Sequence, residues 1–209
     1  MKIAETTVKC SFCQKESQQT ALLSCSAFGA MDLDTRPAPM ARYALAYEVQ
    51  ECPHCHYCNV AIDQRVAESF SFSSDYQAIL HNESMAELPK RYYLTAILQE
   101  EYGDLAEAGM GYLRAAWCYD DESGMEEAAN EARRHAARCF SQYVFEEEDG
   151  QAALILLDIF RRIGEREEAL GLIDWIGETC KEMVDAIIRF QKRMIENGDR
   201  AAHTIDEVE

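Results

Sequence analysis

Two pairs of cysteines, each with two residues between its members, constrain the fold of this chain more than any other feature. Cys10 and Cys13 form the first pair, and Cys52 and Cys55 form the second, with 38 residues between the pairs. This spacing lets both sulfurs of a tight turn reach one cation, and two such pairs complete a tetrahedral shell of four thiolates. The sequence therefore predicts one structural metal site that closes a long loop.

The cysteine content also indicates a cellular compartment. Six of the nine cysteines fall within the first 58 residues, and the N-terminus lacks the apolar core of a signal peptide. The chain contains no run of about 18 apolar residues that would span a membrane. We therefore expect a cytoplasmic protein without a membrane segment, in which clustered cysteines are typical of metal ligands or reactive thiols rather than of disulfides.

Zinc is the ion that this pattern favours, and iron, which shares the same four-thiolate spacing, is the alternative. Residues 52–56 also match the C-x-x-C-H motif of covalent haem attachment, but that attachment is made outside the cytoplasm. A thioredoxin-like redox pair would require a helix N-terminus in a βαβ unit. His56 and Cys58 are candidate accessory ligands for exchange with a primary thiolate, whereas His54 is interpreted as a surface residue.

The sequence around the cysteines predicts a small β-rich module. Residues 43–50 (YALAYEVQ) alternate between larger and smaller or polar side chains, which favours a half-buried strand that leads into Cys52. Residues 20–28 are a second predicted strand, with Cys25 in its core face. Residues 32–39, which contain two prolines, are predicted to be an irregular connection. Residues 1–68 are thus expected to form a zinc-ribbon-like module.

Residues 69–209 are predicted to form an all-α domain, with a connector at residues 69–75 and helices almost throughout the rest. The segment YGDLAEA at residues 102–108 recurs as IGEREEA at residues 163–169. In each copy a glycine, Gly103 or Gly164, is expected to end one helix in the left-handed conformation before the next helix starts. The resulting antiparallel helix pairs are similar to tetratricopeptide repeats, although the interval of 61 residues differs from the repeat length of about 34. The predicted fold class is therefore α+β.

Further details of the helical part follow from local patterns. Ser74 with Gln77 and Ser123 with Glu126 have the spacing of capping boxes. Residues 125–145 keep apolar residues at helical spacing and predict one long helix between the two units. The aromatic residues are interpreted as core rather than as ligand contacts: Tyr112, Trp117, Phe140, Phe160 and Trp175.

The charge is unevenly distributed along the chain. Residues 1–60 carry five Lys or Arg and six Asp or Glu, so nearly all of the net charge of −18 lies beyond them. An acidic surface repels the phosphate backbone and gains nothing from counterion release, which disfavours nucleic acid as a partner. A protein or peptide is expected instead, with a basic partner favoured.

Several motifs in this order resemble one bacterial family. They are the early C-x-x-C, the D-x-D segment at residues 32–34, a C-P-x-C turn at residues 52–55, YLRAAW at residues 112–117 and RRIG at residues 161–164. Across nearly its full length the chain resembles the uncharacterised domain-of-unknown-function family 2225. The resemblance implies a two-part architecture and a metal site but no activity. His56 stands where the family pattern has glycine, so a strained turn is predicted there.

Two functions are compatible with these features. The first is a non-enzymatic interaction protein, in which a zinc-stapled module is attached to helical repeats that bind a partner. The second is a regulatory protein whose cysteine cluster responds to redox state or metal supply. An enzyme is the weakest hypothesis, because the sequence shows no Ser-His-Asp set, paired catalytic carboxylates or phosphate-binding glycine loop.

Overall fold

The N-terminal part of the molecule contains two small antiparallel sheets. The computed structural model describes residues 1–64, 72–179 and 185–208. In the first sheet β1 (Lys2–Lys9) pairs with β2 (Glu16–Ser24), and in the second β3 (Gln50–Glu51) pairs with β4 (Cys58–Asn59). Each sheet is closed by a turn that carries one of the cysteine pairs, as a ribbon of this kind requires.

The strand predicted at residues 43–50 is wrong, because residues Pro39–Tyr47 form a 3-10 helix. Ala41 and Ala44 are buried three residues apart, which is the period of a 3-10 helix, whereas Tyr43 is 77% exposed. Tyrosine and alanine alternate in this segment, which is the pattern of a strand. Alternating side-chain size is, however, compatible with the three-residue period of a 3-10 helix as well. Only Gln50 and Glu51, at the end of the segment, lie in a strand.

The second predicted strand is partly correct. β2 begins earlier than expected and ends at Ser24, so the residues from Cys25 onward lie outside it. Cys25 is only partly buried, and its thiol donates to the Met40 carbonyl oxygen at 3.8 Å. The interpretation of Cys25 as a core residue within a strand is therefore wrong.

From Ser74 onward the described chain is mainly helical, which confirms the α+β class. The helices are α1 (Ser74–Leu80), α2 (Glu87–Tyr102), α3 (Leu105–Asp120), α4 (Glu126–Glu147), α5 (Gly150–Ile163), α6 (Arg166–Thr179) and α7 (Asp185–Glu196), with a short 3-10 turn at Ile205–Glu207. From α1 to α7 each helix packs against the one that follows it in the described chain. The short connections from α2 to α6 are typical of antiparallel neighbours. Within the described ranges, no helix combines the length and the apolarity needed to cross a membrane.

The corners between paired helices follow the sequence prediction. Gly103 and Gly164 cap α2 and α5 with φ of 78° and 86°, a conformation that glycine adopts without a steric penalty. The carboxylate of Asp104 then accepts a hydrogen bond from the Glu107 N–H and starts α3. Ala108 and Ala169 are both fully buried where the helices approach each other.

Neither predicted capping box forms. The N-cap of α1 is Ser73, whose hydroxyl accepts from the Tyr76 N–H, so the helix begins one residue earlier than the Ser74 pattern implied. α4 follows Met125 without a side-chain cap. The long helix that was predicted between the two units is confirmed as α4.

One hydrophobic core joins the helices to the N-terminal part. Of the predicted core aromatics, Tyr112, Trp117 and Phe140 are buried, while Phe160 and Trp175 pack partly buried against the same cluster. Leu45, Val49 and Cys58 from the N-terminal part belong to this core as well. The predicted domain boundary after residue 68 lies outside the described residues and stays a prediction.

A buried set of ion pairs also joins the two parts, and we call it the Asp34–Asp120 network. Its members are Asp34, Arg36, Asp120, Arg133 and Arg162. The Trp117 indole N–H donates to the Asp34 carboxylate at 2.8 Å, and the Arg36 guanidinium donates to the Trp117 carbonyl oxygen at 3.1 Å. The predicted connection is irregular in the structure, and these hydrogen bonds hold it against α3 rather than leaving it exposed to solvent.

Candidate metal centre

The first cysteine pair lies in the tight turn between β1 and β2. The Gln14 N–H donates to the Cys10 carbonyl oxygen, and the Cys10 N–H donates to the Lys15 carbonyl oxygen, both at 2.9 Å. Gln14 has a positive φ of 61°, which reverses the chain directly after Cys13. The turn therefore places the thiols of Cys10 and Cys13 on its inner side, close enough for both to bind the same ion.

The second pair lies in a turn with the same hydrogen bonds between β3 and β4. The His56 N–H donates to the Cys52 carbonyl oxygen at 2.8 Å, and the Cys52 N–H donates to the Tyr57 carbonyl oxygen at 2.9 Å. His56 occupies the position that corresponds to Gln14 and has a φ of 60°. The strained turn predicted there is confirmed, because this left-handed conformation costs a residue with a side chain about 1–2 kcal/mol.

The two turns bring their four sulfur atoms together. The Sγ atoms of Cys10, Cys13, Cys52 and Cys55 all lie within 4.8 Å of one another. Cys10 Sγ is 3.8 Å from Cys55 Sγ, and Cys13 Sγ is 3.6 Å from Cys52 Sγ. In a tetrahedral zinc site with Zn–S bonds of about 2.3 Å, neighbouring sulfurs are about 3.8 Å apart. The spacing between the turns thus fits a four-sulfur shell.

Backbone hydrogen bonds point at these sulfurs. Cys13 receives a hydrogen bond from the Lys15 backbone, and Cys55 receives the equivalent one from the Tyr57 backbone. Burial raises the pKa of the Cys10 and Cys55 thiols. At Cys13 burial acts in the same direction, but the hydrogen bonds outweigh it and the pKa is lowered. Four thiolates this close together repel one another, so a bound cation is what would keep all of them ionised.

The site is half covered by the helical part. Cys10 and Cys52 are buried, whereas Cys13 and Cys55 are partly exposed. Cys10 and Cys52 pack in one hydrophobic cluster that includes Leu98 from α2. One side of the sulfur cluster therefore faces the protein interior, and the other is accessible from solvent.

Tyr76 on α1 ties the second turn to the helices. Its hydroxyl donates to the His56 carbonyl oxygen at 2.8 Å and accepts from the Cys58 N–H at 2.9 Å. Burial raises the pKa of this phenol, so it stays a neutral donor. This contact could not be predicted from the sequence, because a tyrosine at helical spacing is ordinarily a core residue.

The two candidate accessory ligands lie outside the sulfur cluster. Cys58 is fully buried in the helical core, and burial raises the pKa of its thiol. The His56 ring turns away, with Nδ1 2.7 Å from Glu51 Oε1, and half of its side chain is exposed. His54 lies on the surface, where its ring nitrogen is 3.1 Å from the Glu16 carbonyl oxygen.

The chain is thus an α+β protein in which four converging cysteines form a site suited to one metal ion. It matches the model of the family described as an uncharacterized protein conserved in bacteria, over residues 3–202. The chain belongs to this family, the domain-of-unknown-function family 2225, and the match covers both the cysteine turns and the helices. No curated protein and no solved structure matches the chain.

Proposed function

We propose that this protein is a non-enzymatic, cytoplasmic interaction protein in which a structural zinc ion cross-links the N-terminal part, and this part is attached to a partner-binding helical part. The convergence of four thiols from two distant turns is the observation that carries the proposal. All four tetrahedral positions would be filled by protein sulfurs. No position would remain for a water or a substrate, which is typical of structural rather than catalytic zinc.

Zinc is preferred over iron because the proposed role requires only cross-linking. Four thiolates suit either ion, since both accept soft ligands in a tetrahedral arrangement. Zinc has no redox chemistry and would supply a fixed connection between residues 10 and 55. Cys10, Cys13, Cys52 and Cys55 would hold it.

The N-terminal part needs such a connection. β1 and β2 form an isolated two-stranded sheet, and most of their side chains are exposed or only half buried. A hairpin of this kind is marginally stable in water unless it is anchored by packing or by a metal. The sulfur cluster lies at the end of this hairpin and would anchor it to the second turn.

The partner is proposed to be a basic protein or peptide. The helices from α2 to α6 form an array of antiparallel pairs, and arrays of this kind often present binding surfaces. The net charge of −18 lies mainly on this part of the chain. Such a surface attracts cationic partners and repels nucleic acid.

Hydrogen exchange measured by mass spectrometry tests the structural role of the metal. Protection should be compared between the protein as purified and after treatment with a strong chelator. We expect chelation to remove protection from residues 2–24 and 50–62, whereas α3, α4 and α5 keep theirs. Unchanged protection at both cysteine turns, with the metal shown to be gone, would contradict a structural role.

A regulatory function is the second candidate, and the connection through Tyr76 favours it. Cys13 and Cys55 are partly exposed, and each lies within 4 Å of a cysteine from the other turn. Hydrogen peroxide would accept two electrons from two thiolates, so that one S–S bond forms, the O–O bond breaks and two protons complete two waters. Loss of two ligands would release the metal, and α1 would lose its anchor on the second turn.

Peroxide titration distinguishes the two candidates. Free thiols and released metal should be counted at increasing peroxide concentrations, with the Cys25→Ser variant as a matched control for a cysteine outside the cluster. A regulator is expected to release metal in step with the loss of two thiols per chain. If the metal stays bound and the four thiols stay reduced at modest peroxide, the regulatory candidate is wrong.

A further inference from the structure

A cavity of about 570 Å³ opens between α1, α2, α3 and α4. Its walls include three aromatic rings that contact one another. The Tyr93 and Tyr112 rings meet edge to face at 5.1 Å, and the His135 ring stacks on Tyr112 at 4.9 Å. The volume falls within the range of about 300–1,000 Å³ that is typical of ligand pockets.

The polar groups inside the cavity hold one another in place. The Glu100 carboxylate accepts a hydrogen bond from the Tyr112 hydroxyl at 2.6 Å. Both of its oxygens also lie 2.8 Å from the Arg138 guanidinium. One carboxylate and one aromatic ring are therefore fixed side by side before any ligand arrives, so little ordering would be needed on binding.

Two further carboxylates line the opening of the cavity. Asp75 on α1 and Glu101 on α2 are both exposed. Neither forms an ion pair with another residue in the part of the chain that the structure describes. Their charge is therefore available to a ligand, and the cavity carries more negative than positive groups.

The cavity continues into a second one of about 250 Å³, and the two share Ile79, Tyr93 and His135. The second cavity adds Glu131 from α4 and Tyr119 from α3. Together the two cavities form a groove along α2 and α4, in which Glu131 adds a further carboxylate to those of the first cavity. Neighbouring side chains of one extended peptide would enter the two cavities side by side.

His135 carries no positive charge that would repel a cationic ligand at neutral pH. Burial lowers the pKa of its imidazole, so the ring is neutral there. The charged groups that face it are Glu131, Arg138 and Glu100, and the two carboxylates outnumber the single guanidinium. The ring thus acts as an aromatic wall rather than as a cation.

We propose that this groove binds a partner peptide through an arginine side chain, which enters between the Tyr93–Tyr112–His135 wall and the carboxylates of Asp75 and Glu101. The inference rests on the proposed interaction function and deepens it by naming the site and the chemistry of the partner. A guanidinium is planar, stacks on aromatic rings and pairs with carboxylates through two parallel hydrogen bonds. An ammonium makes neither the planar stack nor the paired bonds, so lysine fits less well.

Three synthetic peptides test the assignment, and they share one neutral sequence with blocked termini. The central residue is arginine, lysine or citrulline, which keeps the shape of arginine without its charge. Binding to the metal-loaded protein should be measured by fluorescence anisotropy. We expect the citrulline peptide to bind at least about tenfold more weakly than the arginine peptide, and the lysine peptide to fall between them. Equal affinity of the arginine and citrulline peptides, or no binding of the arginine peptide, overturns the proposal.

Two variants locate the site without disturbing the core. The double variant Asp75→Asn, Glu101→Gln changes only exposed residues and is expected to weaken the arginine peptide about three- to tenfold. Glu167→Gln, an exposed change on α6, is the matched control and should leave the affinity unchanged. The proposal is wrong if the control weakens binding as much as the double variant does.

A further comparison separates the proposal from its alternatives. Free argininamide that binds as tightly as the arginine peptide would assign the groove to a small cation and overturn the peptide assignment. If only peptides without arginine bind, the interaction function survives and the arginine site fails. If no peptide of any composition binds, the interaction function fails as well.

Discussion

Two clusters of polar side chains hold the N-terminal part in place, and they differ in how their charges are balanced. In the Asp34–Asp120 network the carboxylates of Asp34 and Asp120 are surrounded by the guanidiniums of Arg36, Arg133 and Arg162. In the sulfur cluster four thiols face one another, and the pKa shifts of Cys10, Cys13 and Cys55 arise from burial and from hydrogen bonds.

This difference in charge balance distinguishes a cluster that stabilises the fold from a cluster that binds an ion. A network that contains its own counter-charges is complete when the chain folds, and it holds residues 32–36 against α3 without help. A cluster with ligands of one kind only is completed by an ion from outside. The first cluster should therefore be insensitive to chelators, and the second should depend on them.

Replacing a buried thiol should break the sulfur cluster and have the largest effect. In Cys52→Ser we expect the metal content to fall from one ion per chain to near zero, because structural zinc binding contributes roughly 10–16 kcal/mol in small domains. The helices should keep most of their circular dichroism signal. Cys25→Ser, outside the cluster, should retain its metal. Full metal content in Cys52→Ser would remove Cys52 from the site.

Replacing the central carboxylate of the network should come next. Asp120→Asn leaves buried guanidiniums without their counter-charge, which is expected to cost about 3–5 kcal/mol of unfolding free energy. Denaturant unfolding measures this cost, with the exposed Asp174→Asn as control. The metal content should not change, and loss of metal in Asp120→Asn would show that the clusters are coupled.

The same carboxylate predicts a pH dependence. Burial raises the pKa of Asp120, but Arg133 and its neighbours outweigh it and lower the pKa below its ordinary value of 3.8. The stabilisation is therefore present above the unfolded-state pKa and is lost as the pH falls through the folded-state pKa. Stability curves below pH 4 should be flatter for Asp120→Asn than for the unmodified protein. Identical slopes would contradict the ion-pair assignment.

A pair of tyrosine variants tests the tie between the metal turn and α1. Tyr76→Phe removes both hydrogen bonds to the second turn and is expected to cost about 1–3 kcal/mol. Tyr92→Phe is a matched control, because its buried hydroxyl donates to the Leu45 carbonyl oxygen at 2.7 Å, away from the cysteines. Both variants should lose stability, but only Tyr76→Phe should release metal to a chelator faster. Equal release rates would mean that Tyr76 does not support the site.

The smallest effect is expected at the strained turn. His56→Gly removes the steric cost of the positive φ but also the exposed contact with Glu51, so a gain of about 0.5–1 kcal/mol is expected. Gln14→Gly changes the corresponding position of the first turn and should behave in the same way. Thermal unfolding of the metal-loaded proteins measures both. A marked loss of stability in either variant would show that its side chain matters more than its backbone strain.

The sequence allowed the sulfur cluster and the helix corners to be predicted because short-range rules determine both. Two residues between cysteines fix a turn, and Gly103 and Gly164 fix the ends of helices. The 3-10 helix at Pro39–Tyr47 was not predicted, because alternating side-chain sizes are compatible with more than one periodicity. Its Leu45 carbonyl oxygen accepts a hydrogen bond from the Tyr92 hydroxyl of α2, a long-range contact that no local pattern reveals.

Long-range polar contacts could not be predicted for a similar reason. Asp34 and Trp117, which form a hydrogen bond, are 83 residues apart in the sequence. The Tyr76 hydroxyl donates to the His56 carbonyl oxygen, 20 residues away. Cys58 lies close to the cluster in sequence, yet the β4 strand directs it into the helical core. The cysteine spacing in the sequence therefore identified the four candidate ligands. The fold was needed to show that the neighbouring Cys58 and His56 lie outside the cluster.

X-ray absorption spectroscopy of the purified protein, combined with elemental analysis, tests the central claim most directly. We expect one zinc ion per chain, surrounded by four sulfur atoms at about 2.3 Å. Protein that is fully folded without metal, or an ion bound by nitrogen or oxygen in place of these sulfurs, would contradict it.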